Sequence, residues 1–139
     1  MIFVDTWAWV ALALSRDQFH RKATAAHHRF VKQRRRYVTT DFVLSEVIAH
    51  LYSTMASEKA QAFINTLFES ADAGLLQLLH VSASQFRRAW TMRQQYADKP
   101  DISFVDFTSM VVMQDLGIVD VFTGDKHFVQ VNLGFRLTP

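Results

Sequence analysis

The sequence predicts a single α/β domain built on a mainly parallel sheet with helices on both faces. Three observations predict it. Short runs of strand length, IFV, YVTT, LLQLL and VDVF, alternate with helical segments, and strands separated by helices pair in parallel. The strand runs are almost continuously apolar, as in strands buried on both faces. The chain of 139 residues, 50% hydrophobic with 12 Phe and 3 Trp, is long enough for one core. The expected domain spans 1–139, with no repeat, low-complexity tract or Pro/Gly-rich linker.

MIFVD reads as a buried strand with Asp5 at its C-terminal tip, followed by a helix over about 6–14. A basic helix over about 19–35 places Ala23, Ala26, Phe30 and Val31 at helical spacing, and YVTT is the second strand. Asp41 is a plausible N-cap for a helix whose apolar stripe is Phe42, Val43, Val47, Ile48 and Leu51, with Glu46 near its first turn. A helix over about 57–73 closes at Gly74, LLQLLHV is the third strand, and a helix over about 84–96 carries Phe86, Ala89, Trp90 and Arg93. ADKPD interrupts the pattern. Ser103 then opens a helix that ends at Gly117, VDVFT is the fourth strand and GFRL a short fifth, so the sheet has four or five strands.

Composition excludes some functions. With no cysteine, neither a disulfide framework nor a thiolate metal site is available, and a reducing compartment suits the chain. TWAWVALALS, the longest uncharged run near the N-terminus, has ten residues, against about 20 for a membrane-spanning helix. Its A-L-A resembles a signal-peptidase site, but Asp5 breaks the apolar stretch and no basic segment precedes it. The expectation is a cytoplasmic protein with no membrane association. The net charge of +2 is unevenly distributed: 20–36 holds seven Lys/Arg, three His and no acid, while six of thirteen acids lie between Asp98 and Asp125. That pattern fits either a solvated helix with cations toward its C-terminus or a basic wall beside an acidic pocket that handles a polyanion.

Sites in open parallel sheets form beyond the C-terminal strand ends. Asp5, Glu46, Asp106 and Asp125 each sit near such an end, on four separate elements. Each also has a plainer reading. Ser103-Phe104-Val105-Asp106 fits an S-x-x-D capping box, Asp101 fits an ordinary loop acid, and Asp125 fits a T-G-D turn. Glu46 and His50 are spaced to ligate a metal together, or to serve a polar edge and the core separately. His127 in DKHF can bind phosphate, act as an acid, or simply pack or cap. Asp5 is the hardest to explain without a partner, because an unpaired charge next to an apolar strand is costly. Two carboxylates about 4 Å apart repel by roughly 4 kcal/mol at an effective dielectric near 20, so convergent acids require raised pKa values or a cation. Oxygen ligation without cysteine points to Mg²⁺ or Mn²⁺.

FVDTWAW, TTDFVLSEV, DISFVDFTSMVVMQDLGI and VFTGDKHF, in this order across nearly the whole chain, resemble the PIN-domain nucleases, especially the VapC-type toxins of prokaryotic toxin–antitoxin pairs. The resemblance implies a three-layer α/β/α sandwich and a metal-dependent endoribonuclease. It assigns Asp5, Glu46, Asp106 and Asp125 as catalytic metal ligands for Mg²⁺ or Mn²⁺, with Thr6, Asp101 and Thr123 as supporting residues around them. In this reading Arg21, Lys22, Arg29, Lys32, Arg34, Arg35 and Arg36 are candidates for contacting RNA, and a small antitoxin and a second copy of the chain are expected partners. The competing class is a non-catalytic RNA-binding or phosphoacceptor-like module on a similar sheet. A receiver-like phosphoacceptor would need an acidic pair where this chain has Asp5-Thr6, and a haloacid-dehalogenase-type phosphatase would need an acid at the position of Trp7.

Overall fold

The computed structural model describes residues 1–138, all but the last of the expected domain. Its elements are β1 (Ile2–Val4), α1 (Thr6–Ala13), α2 (His20–Lys32), β2 (Tyr37–Thr40), α3 (Asp41–Thr54), α4 (Ser57–Asp72), β3 (Leu76–Leu79), α5 (Ala83–Gln95), α6 (Phe104–Leu116), β4 (Asp120–Phe122), α7 (His127–Gln130) and β5 (Arg136–Leu137). All strand pairs are parallel, in the order β3-β2-β1-β4-β5. The sheet is therefore fully parallel and five-stranded.

The strand order explains the layers. From β1 the chain steps outward through β2 to β3, using α1 to α4 as crossovers, then returns over α5 and α6 to β4 on the other side of β1. Right-handed crossovers in opposite directions put the two helix groups on opposite faces of the sheet. This gives the three-layer α/β/α sandwich. The order reverses between β1 and β4, the place in open parallel sheets where ligand sites form beyond the C-terminal strand ends.

The sheet is dry on both faces. Ile2, Phe3, Val4, Val38, Val121 and Phe122 have no exposed surface, and Phe107, Met110, Val111 and Met113 of α6 pack against them from the core. Each such side chain contributes roughly 1.5–3 kcal/mol of burial. At the opposite, N-terminal edge, Asp120 ties three strand starts together: Arg35 Nη2 reaches its Oδ2 at 2.7 Å, and Arg136 Nη2 its Oδ1 at 2.7 Å. Among the described residues no helix is long and apolar enough to cross a membrane.

Several local expectations are corrected. Thr40, not Asp41, caps α3: its hydroxyl accepts from Val43 N–H at 3.2 Å. Asp41 is the first helical residue, and its Oδ1 accepts from the Phe42 and Val81 N–H groups at 3.0 Å, tying α3 to the end of β3. Leu44 takes the buried place expected for Ile48. On α5 the buried residues are Ala89 and Met92, while Phe86 and Trp90 are 46% and 54% exposed. Ser82 starts that helix with a complete capping box to Gln85. The short α7 was not expected.

Candidate active site

Asp5 leaves β1 as the N-cap of α1, yet its carboxylate makes no capping bond. It is 3% exposed and its Oδ2 accepts from the Thr123 hydroxyl at 2.9 Å. The same Thr123 oxygen accepts from Asp125 N–H at 3.0 Å. One buried hydroxyl thus links the ends of β1 and β4. Glu46, on the second turn of α3, receives the Thr6 hydroxyl at 2.7 Å, so of its two readings the polar edge without His50 is the one that fits. His50 is exposed and does not pack in the core as that reading supposed.

Asp106 enters from the first turn of α6. Ser103 caps that helix by accepting from Asp106 N–H at 3.1 Å, and Gly117 ends it in the left-handed conformation at φ 66°. Asp106 is 6% exposed, and His127 Nδ1 lies 3.0 Å from its carboxylate Oδ2. The capping and site readings of Asp106 are therefore compatible. His127 Nδ1 is also 3.1 Å from Asp125 Oδ2, and its backbone N–H donates to Asp125 Oδ1 at 2.9 Å.

The loop that presents Asp125 depends on a close approach. A Cβ on Gly124 would collide with the Trp7 indole, and Trp7 packs in turn on Phe19 at a 5.2 Å ring separation. Glycine is required there by contact with Trp7, since its φ is not positive. The loop before α6 is held by Arg93, whose guanidinium donates to the carbonyls of Tyr96, Lys99 and Ile102 and lies 4.8 Å from the Phe107 ring centre.

The electrostatics show what this convergence costs. Burial, reinforced by the charges of Asp106 and then Asp125, raises the Asp5 pKa to about 7 against the hydrogen bonds from Thr123 and the Thr6 backbone. Burial also pushes Glu46 up, with Asp106 adding to the effect. For Asp106, burial again dominates and Asp125 adds to it, outweighing His127. Three acids thus resist ionisation because they are buried near one another, and a divalent cation would relieve that. One donor atom from each of Asp106, Asp125 and His127 lies within 4.8 Å of the others. The donor set of carboxylate oxygens with one imidazole fits a first-row or alkaline-earth divalent ion.

Placement of the remaining expected residues is mixed. Thr6 and Thr123 hold acids as described. Asp101 is exposed in the turn before α6 and has no hydrogen bond to the acids among the described residues. Of the two readings of the basic stretch, a wall beside the acids does not describe its C-terminal part. Arg36 accepts through its carbonyl from Ile2 N–H, and Arg35 pairs with Asp120 and donates to the Met1 carbonyl. These contacts place Arg34, Arg35 and Arg36, with Lys32 just before them, at the strand starts, opposite the acids. Arg29 is exposed on the last turn of α2, its guanidinium 5.1 Å from the Phe30 ring centre. The other end of α2, with exposed Arg21 and Lys22, follows Phe19, which packs on Trp7 beside the Gly124 loop. His127, for which the sequence allows phosphate binding, acid, packing or capping roles, sits among the acids; its sequence signal is the D-x-H spacing after Asp125.

A family model for the PIN domain matches residues 2–133. The 23S rRNA-specific endonuclease VapC20 of Mycobacterium tuberculosis is 29% identical over 128 residues, covering 92% of each chain. The crystal structure of that protein, described as a Sarcin-Ricin loop cleaving toxin, superposes with a TM-score of 0.83 at 28% identity over 98% of this chain and 97% of the other. A DNA-bound VapBC from Salmonella typhimurium shares the fold, with a TM-score of 0.68 at 17% identity over 99% and 97% of the chains. FitAcB from Neisseria gonorrhoeae does so at 0.64 and 13%, over 100% and 97%. The parallel sheet, its acid-lined switch point and a family match over nearly the full length lead to one assignment: the chain belongs to the PIN-domain family.

Proposed function

We propose that this protein is a metal-dependent endoribonuclease of the VapC type, the toxin of a toxin–antitoxin pair, in which Asp5, Glu46, Asp106 and Asp125 hold one or two Mg²⁺ or Mn²⁺ ions. The observation that carries this reading is the buried Asp5, lifted to about 7 by its surroundings and by the charge of Asp106. A pocket of mutually repelling carboxylates at a sheet switch point is useful chiefly when a cation enters it.

A divalent ion held by these four carboxylates would supply an activated water as nucleophile and charge compensation for the scissile phosphate. The chain's own residues supply the rest. Thr123 fixes Asp5 and, through Asp125 N–H, the loop after β4. Thr6 fixes the Glu46 carboxylate. The N-terminus of α6 presents its helix dipole next to Asp106, where an anionic phosphate group is favoured. Arg21 and Lys22 contact flanking RNA backbone, which gives affinity without sequence choice.

The substrate class is structured RNA, supported by the likeness to VapC20, which is described as specific for 23S rRNA. That same protein is described as a toxin, which supports a small antitoxin as partner. A second copy of the chain and a cytoplasmic location complete the proposal. The test is incubation of end-labelled 23S rRNA fragments with the protein in Mn²⁺, in Mg²⁺ and in EDTA. Defined cleavage with either ion and none in EDTA is expected; binding without cleavage in every condition would favour a non-catalytic RNA-binding module.

A further inference from the structure

His127 stands outside the acidic quartet but within it in space. It opens α7, and its Nδ1 lies 3.0 Å from Asp106 Oδ2 and 3.1 Å from Asp125 Oδ2. Its side chain is 22% exposed, and among the described residues its ring stacks on no aromatic neighbour. Aromatic stacking therefore does not account for its position. The backbone does: its N–H is bound to Asp125 Oδ1 at 2.9 Å, so the residue two places after Asp125 is turned back toward the pocket. The one group of three ligand-bearing side chains among the described residues with donor atoms inside 4.8 Å includes this imidazole.

Resting on the reading of the acids as a cation site, we propose that His127 is itself a ligand, giving the pocket a mixed nitrogen and oxygen donor set and a preference for Mn²⁺ over Mg²⁺. Mg²⁺ is a hard ion that favours oxygen donors and retained waters, whereas Mn²⁺, although the weakest binder of the first-row series, accepts an imidazole nitrogen more readily than Mg²⁺ does. His127 Nδ1 faces both carboxylates, and as a ligand it would offer its Nδ1 lone pair with the ring proton on Nε2. Neighbouring carboxylates then act on both the ion and the imidazole. This places the D-x-H turn in the ligand set, beyond the four acids.

The experiment uses the full chain with Mn²⁺ alone, without RNA. Pulsed electron paramagnetic resonance of bound Mn²⁺ should show nitrogen modulation in the unaltered protein and lose it in His127→Gln. The same variant should bind Mn²⁺ about 10- to 100-fold more weakly, with a smaller loss for Mg²⁺ by calorimetry. His127→Asp, which restores an oxygen donor, should bind both ions without nitrogen modulation. Bound Mn²⁺ with no nitrogen modulation in the unaltered protein overturns the proposal, as does unchanged modulation in His127→Gln. Equal losses for the two ions overturn the selectivity. Failure of the unaltered protein to bind Mn²⁺ at all would instead remove the cation reading on which the proposal rests.

Discussion

Asp5 carries more of the account than any other residue, because the fold buries its carboxylate and the neighbouring acids oppose its charge. In the metal-free protein this acid keeps its proton up to about pH 7, whereas in the unfolded chain it loses it near pH 4. The folded state then holds the extra proton, so stability is greatest below that lower value, falls as pH rises between the two, and levels off above. Thermal melts in EDTA from pH 4.5 to 8 should show this decline. Asp5→Asn should flatten it and raise stability at pH 8 by up to about 4 kcal/mol, while abolishing cleavage. A variant that stays active, or that melts lower than the original at pH 8, contradicts this role. Thr123→Val removes both hydrogen bonds of the buried hydroxyl and should reduce the cleavage rate about 10- to 100-fold, read as a fall in kcat with KM little changed. The four acids were legible in the sequence because each lies near the end of a recognisable strand and in a stretch that resembles the PIN-domain pattern. The closeness of His127 to Asp106 was not, because the two are 21 residues apart in sequence and no local pattern reports a tertiary contact.

Among the elements, the short apolar strands were the easiest to read. YVTT is β2 with the expected limits, since strand residues buried on both faces leave a compact β-branched run. Helix starts were less legible, because Thr40 and Asp41 are both good capping types and only geometry chose the threonine. The four-residue α7 has no amphipathic pattern to detect, being shorter than two turns. The turn that precedes it depends on Gly124 facing the Trp7 indole. Gly124→Ala should force Trp7 or the loop aside, destabilising the protein by about 1–3 kcal/mol and shifting tryptophan fluorescence. A melting temperature and emission spectrum identical to the original would show that the contact is not tight.

At the scale of the whole molecule, direction along the sheet decides which charges serve the site. A parallel sheet makes the chain enter every strand at the same edge, so Arg34, Arg35 and Arg36, directly before β2, had to lie opposite Asp5 at the end of β1. The charge count alone could not reveal this, whereas strand direction does. RNA affinity measured across salt concentrations should weaken in the Arg21→Ala, Lys22→Ala double variant, with a slope shallower by about 1–2. Arg34→Ala with Arg36→Ala should leave the slope unchanged; the reverse pattern would put the RNA path at the other edge. The central claim, that acids from four elements share one divalent cation, is tested most directly by the melting temperature at pH 7.5 with and without Mn²⁺. The account predicts a rise in the unaltered protein that grows with Mn²⁺ concentration and disappears in Asp5→Asn and Asp106→Asn. An unaltered protein indifferent to Mn²⁺, or variants that rise equally, would contradict it.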